Sequence, residues 1–176
     1  MKHIFLLIQL FFIHTFSQNL DKKYVLEQTQ YHIYKNVKTK FFIYKDTSNI
    51  EKRLLRIVFK DNKIRENDNI ITGIDSNCSY DDTLQDIIFK NEFFTIESIY
   101  CSSDYFRNCY ITFKYDIKYN NYFLYKYCEV YTFKNNPDHQ KSSKVLTKKD
   151  FGRIKIEDFN RKILEEILYK TNKNPK

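Results

Sequence analysis

Four cysteines, Cys78, Cys101, Cys109 and Cys128, are the residues of this chain best equipped for chemistry. A thiolate can ligate zinc, attack as a nucleophile or oxidise to a disulfide. Zinc sites favour close pairs such as C-x2-C with histidine partners. Here the gaps are 22, 7 and 18 residues, and His32 and His139 are the only histidines after the N-terminal segment. Neither histidine stands at a spacing that marks it as the base of a Cys–His pair, and a C-x-x-C redox motif is absent. The spacing therefore points to no metal, no cofactor and no catalytic thiol. Structural disulfides remain, with three connectivities open to four thiols.

Carboxylates offer a second chemistry. Asp81 and Asp82, or Glu92 and Glu97, could serve as acid–base pairs in a small envelope hydrolase. Asp81 and Asp82 are adjacent in a turn-like stretch, where acids are common for backbone reasons. Glu97 has no second carboxylate set by spacing. No catalytic residue is assigned.

Binding residues are easier to nominate. In CSSDYFRNC, Tyr105, Phe106 and Arg107 place two aromatics and a guanidinium in a predicted hairpin loop, the residue types enriched at binding hot spots. Lysine and aromatic residues also interleave at Lys114-Tyr115, Lys118-Tyr119 and Tyr125-Lys126-Tyr127. Such interleaving suits an anionic polymer, but alternation along a strand, aromatics inward and lysines outward, writes the same text.

The elements that must position these residues read as strands. From Tyr31 onward, 41–45, 53–60, 68–71, 86–90, 93–101, 109–117 and 122–133 are rich in Ile, Val, Thr, Tyr and Phe. Asn-centred turns separate them, most clearly at 90–92 and 119–121. Residues 18–30 read as a mixed lead-in with some helix, 135–144 as a surface loop and 153–157 as a further strand. Phe159, Ile163, Leu164, Ile167 and Leu168 then fall on one helical face, predicting an amphipathic helix over about 159–170 capped by Asp158. The expectation is a mainly β chain, a single antiparallel sheet or sandwich-like domain with a C-terminal helix covering it.

In 109–117 the apolar set Cys109, Ile111, Phe113, Tyr115 and Ile117 should face the core. A hairpin turning near Tyr105 sets Cys101 opposite Cys109. A second hairpin turning near Lys118-Tyr119 sets Cys109 opposite Cys128 and leaves Cys78 for Cys101. The second arrangement uses all four thiols without loop strain and is the favoured one, although a one-residue slip would reverse the faces.

The N-terminus reads as a signal peptide over 1–17: Lys2 and His3, an apolar run Ile4–Ile13, then Thr15-Phe16-Ser17, with cleavage near Ser17-Gln18. The expectation is an exported protein, periplasmic or extracellular, with one domain over 18–176 and no transmembrane segment in the mature form. Cleavage removes one lysine and leaves 29 basic against 22 acidic residues. The chain has no Trp and only two Gly, and favours residues with A/T-rich codons, so the lysine excess need not mark a partner. Basic and acidic residues alternate, as on a mixed solvated surface, and export argues against nucleic acid.

The series Asp86-Ile87-Ile88-Phe89-Lys90-Asn91, Phe94-Thr95-Ile96-Glu97, Ile111-Thr112-Phe113-Lys114-Tyr115 and Tyr122-Phe123-Leu124 resembles a family of small exported bacterial proteins of unknown function. Its members share an I-K-N-x-x-F-T-I-E … I-T-F-K-Y … Y-x-L strand series over what corresponds to residues 53–157. The resemblance implies a β fold and an exported location, and no activity. The family's Asp-rich calcium-like repeat and its Gly- and Trp-containing hairpin loop have no counterpart in residues 37–48 or 101–109. The function expected is a non-enzymatic binding module of the cell envelope, of inhibitor or immunity type and with a protein as its possible partner. An envelope hydrolase and an anionic-polymer binder are the alternatives.

Overall fold

The computed structural model describes residues 23–73 and 83–173. The expected leader, Cys78, Asp81 and Asp82 lie outside them. Alternating sequences build two antiparallel sheets among the described residues. The first joins β1 (Tyr24–Tyr34), β2 (Val37–Asp46), β3 (Arg53–Val58) and β4 (Ile64–Asn67) in chain order. The second joins β5 (Leu84–Lys90), β6 (Phe93–Cys101), β7 (Tyr105–Asp116), β8 (Asn121–Phe133) and β9 (Asn136–Thr147), also in chain order. A short helix α1 (Lys148–Phe151), a 3-10 turn (Ile156–Asp158) and the helix α2 (Arg161–Lys173) complete the order. No helix among the described residues is long and apolar enough to cross a membrane.

With only two glycines in the chain, asparagines carry the tight turns. Asn36, Asn91 and Asn120 have φ of 63°, 53° and 44°, the left-handed region that Asn tolerates best after Gly. Gly73 serves a different end: a Cβ there would meet the Ile50 carbonyl oxygen at 1.9 Å.

The inner faces of the sheets meet in an aromatic core. Phe41 of β2 packs against Phe89 of β5 and Phe94 of β6, with centroids 4.9 and 5.0 Å away. Phe59 and Tyr122 add further edge and tilted contacts, geometries that rings favour over face-to-face stacking. As expected, Cys109, Ile111, Phe113 and Tyr115 are buried, while Ile117 lies beyond the strand and is exposed. Leu164 is buried, and Ile167 and Leu168 pack beside it against the core, so α2 covers its own sheet.

Several boundaries differ from the sequence reading. The lead-in expected to be partly helical is strand from Tyr24. The short strand lies at 64–67, and Ile70 and Ile71 of the expected 68–71 strand are buried in a bend. The loop expected over 135–144 is β9, a polar edge strand of the kind that resists further pairing. The strand expected over 153–157 reduces to one bridge, Lys155 to Phe123, followed by the 3-10 turn. The helix starts at Arg161 and its cap is Asn160, whose side chain accepts Lys162 N–H at 3.0 Å; Asp158 belongs to the 3-10 turn. Asn67 fixes this entry by donating to the carbonyls of Ile156 and Phe159, both at 2.8 Å.

Candidate functional site

Registers decide which nominated residues can meet. In the β6–β7 hairpin Cys101 opposes Phe106, and Cys109 opposes Ser98. The turn spans 102–104, closed by Ser102 N–H to Tyr105 O at 2.9 Å. Tyr105, Phe106 and Arg107 therefore begin β7 and do not form a loop tip. Alternation divides them: Tyr105 leans on Tyr131 at 5.3 Å and Arg107 covers the Tyr100 ring at 4.7 Å, whereas Phe106 faces the other way beneath Lys134.

The β7–β8 hairpin begins in the register the sequence suggested, Asp116 opposite Asn121. The ladder then shifts between Thr112 and Phe113: Phe113 opposes Leu124 and Thr112 opposes Lys126, so Tyr125 is the extra, unpaired residue of a β-bulge. The slip sets Cys109 opposite Glu129 and Cys128 opposite Tyr110. Cys109 thus points into the core and Cys128 to the outer face, and both are free thiols. The expected Cys109–Cys128 disulfide is overturned, as is the rival Cys101–Cys109 pair. Cys101 is not a free thiol, and Cys78 lies outside the described residues.

The same bulge shapes a groove. Tyr125 is turned outward and stacks obliquely on Phe93 at 4.8 Å. About 620 Å³ of open space is lined by Tyr34, Lys35, Glu92, Lys114, Phe123, Tyr125, Lys148, Arg153 and their neighbours. Gly152 closes α1 with its N–H on Lys148 O and a φ of 74° that a residue with a Cβ adopts only under strain. That turn delivers Arg153 onto two rings, its guanidinium 4.0 Å from Tyr119 and 4.1 Å from Phe123, with Asp116 at 3.0 Å. Ile154 O accepts from Leu124 N–H at 2.9 Å, tying the segment to β8. Lys114 reaches Glu92 at 3.6 Å. Lys35 and Lys148 have no carboxylate partner among the described residues. Four cations against two carboxylates leave the groove positive, over an aromatic floor.

A second polar cluster lies on the inner face of the five-stranded sheet. Across that face, a row of Phe89, Phe94, Phe113 and Leu124 gives way to Ile87, Ile96, Ile111 and Tyr127. Ser98, Cys109, Glu129 and Lys144 form the next row, before Tyr100, Arg107 and Tyr131. Glu129 is 2% exposed; its two oxygens accept from Tyr127 at 2.5 Å and Tyr131 at 2.6 Å, and Arg107 stands 3.7 Å away. Burial first, and then the neighbouring Cys109 and Glu129, holds the Tyr127 hydroxyl far above the ordinary phenol range. Burial likewise pushes the Cys109 thiol up, against the pull of Arg107, which suits a packed thiol and not a nucleophile.

The nominated carboxylates separate. Glu92 pairs with Lys114 in the groove, and Glu97 lies on the outer face opposite Asp86, with burial first and Asp86 second raising its carboxyl. Asp86 is the second carboxylate that sequence spacing could not supply. His139 lies on β9. His32 is 4% exposed and bridges the sheets. Among the described residues no group of three or more His, Cys, Asp or Glu is placed to hold a metal ion. Comparison with protein-family models, with curated proteins and with solved structures found no match.

Proposed function

We propose that this chain is an exported, non-enzymatic binding module of the cell envelope whose bulge-side groove holds a linear anionic polymer, a carboxylated polysaccharide being the class that fits best. The observation that carries this reading is the groove itself: Lys35, Lys114, Lys148 and Arg153 rim a floor that includes Phe123 and Tyr125. Ring faces suit the apolar faces of sugars, and cations over a ring edge suit the carboxylates between them. Lys114-Tyr115 and Tyr125, flagged in the sequence as interleaved cation and aromatic, meet here with cations from two other segments. A cross-tie between Cys101 and Cys78 belongs to the same proposal, as a brace for an exported domain.

The test is equilibrium binding of polygalacturonate, with neutral dextran as control. Saturable binding of the polyuronate alone is expected, and Lys114→Ala with Arg153→Ala should weaken it by about tenfold, the loss of two partly exposed ionic and cation–π contacts. Equal affinity for dextran, or unchanged affinity in the double variant, contradicts it. The envelope-hydrolase reading keeps one supporting observation, the Asp86–Glu97 pair across β5 and β6. Release of reducing ends from polygalacturonate by the parent, lost in Glu97→Gln, would replace binding with hydrolysis as the function.

A further inference from the structure

The polar end of the inner face carries more than helix packing requires. Between this end of the sheet and α2 lies a cleft of about 270 Å³. Three cations reach it from three elements: Arg107 on β7, Lys144 on β9 and Arg161 on α2. Covering a sheet with a helix needs apolar side chains, and buried charge opposes it unless paired. Here Glu129 answers only one of the three. Its oxygens accept from Tyr127 and Tyr131, and among the described residues Arg107, at 3.7 Å, is the cation it pairs with.

Arg161 and Lys144 make no ion pair among the described residues, although Glu165 borders the cleft. Arg161 holds the Ile70 carbonyl through Nε and Nη2 at 3.0 and 2.7 Å, which fixes the guanidinium and leaves Nη1 unused by that contact. Both guanidiniums lie over the one Tyr100 ring, Arg107 at 4.7 Å and Arg161 at 5.4 Å. Two like charges gathered on one ring repel, and an anion between them relieves the repulsion.

We propose that this cleft binds a small oxyanion, a carboxylate or phosphate group, held by Lys144, Arg161 and the forked donors of Arg107. Glu129 and its two tyrosines form the floor that orients Arg107 and do not contact the anion. Guanidinium forks match planar carboxylate and tetrahedral phosphate oxygens alike. The site is independent of the groove: it lies on the inner face of the sheet, and the two share no lining residue.

Calorimetric titration of the full chain with inorganic phosphate, and separately with acetate, tests the site and tells the two oxyanions apart. Saturable one-site binding of at least one is expected. Lys144→Gln, which removes no side-chain hydrogen bond or ion pair made among the described residues, should weaken it at least tenfold. Arg107→Lys keeps the charge over Tyr100 but loses the fork, and should weaken it several-fold while circular dichroism reports an intact sheet. Arg153→Ala, in the groove, should leave the anion affinity unchanged even where it lowers polyuronate binding. Absence of saturation with both anions overturns the proposal, as does parental affinity in Lys144→Gln.

Discussion

His32 joins the two sheets through its ring. Nε2 lies 2.6 Å from the Asn91 carbonyl, which can only accept, so Nε2 carries the proton; Nδ1, 2.8 Å from the Tyr122 hydroxyl, is then the acceptor. The ring stacks on Phe89 at 5.0 Å. Burial holds the imidazole below its ordinary value of 6.5, a pull that outweighs the Asn91 bond. The folded protein therefore binds fewer protons at this site than the unfolded chain. Stability from this source is complete above about pH 6.5 and falls as the pH drops from there towards the lowered folded value, by at most about 1.4 kcal/mol per pH unit. Thermal unfolding between pH 7.5 and 5 should show that decline, and His32→Gln should flatten it while lowering the midpoint at neutral pH. A parallel decline in the variant would assign the effect to other groups. Nothing in the sequence marked His32 as buried, because its neighbours Tyr31 and Ile33 are apolar and exposed while the histidine turns inward.

At the scale of elements, one residue reorganises the candidate site. Without the bulge at Tyr125, the register begun at Asp116 and Asn121 would have carried Cys109 opposite Cys128. The bulge slips it by one, moves Cys128 to the outer face and lifts Tyr125 into the groove. Alkylation of the native protein should therefore label Cys128 and spare Cys109 until the chain unfolds. Non-reducing peptide mapping should find Cys101 linked to Cys78, and a Cys109–Cys128 peptide would contradict the register. Strand alternation and the Asn turns were legible in the sequence, as was the face of α2, because each is a local pattern. β9 was not: NPDHQKSSK has the polar composition of a loop, and its pairing comes from the edge of β8 that it completes. RIKIE alternates like a strand, yet the segment is drawn off after one bridge by Asn67, which holds the carbonyls of Ile156 and Phe159. A bulge depends on the partner strand, so neither strand alone announces it.

Over the whole molecule, 30 basic residues face 22 acidic ones, a net charge of +8. Much of that charge is spread over the surface in small pairs, such as Arg56 with Glu66 and Arg65 with Glu157. The groove departs from this pattern by gathering Lys35, Lys114 and the Lys148–Arg153 pair from three separate stretches of chain, which is why the sequence showed only its Lys114-Tyr115 and Tyr125 components. Contacts of this kind are electrostatic and exposed, so they are screened by salt. The most direct measurement is polygalacturonate affinity as ionic strength rises from about 0.01 M to about 1 M, over which the Debye length contracts from about 30 Å to about 3 Å. Four exposed contacts worth about 0.2–1 kcal/mol each predict a fall of about fourfold or more, with the aromatic contribution persisting at high salt. Affinity that holds constant across the series, or that falls equally after Lys114→Ala with Arg153→Ala, would contradict the groove as the binding surface.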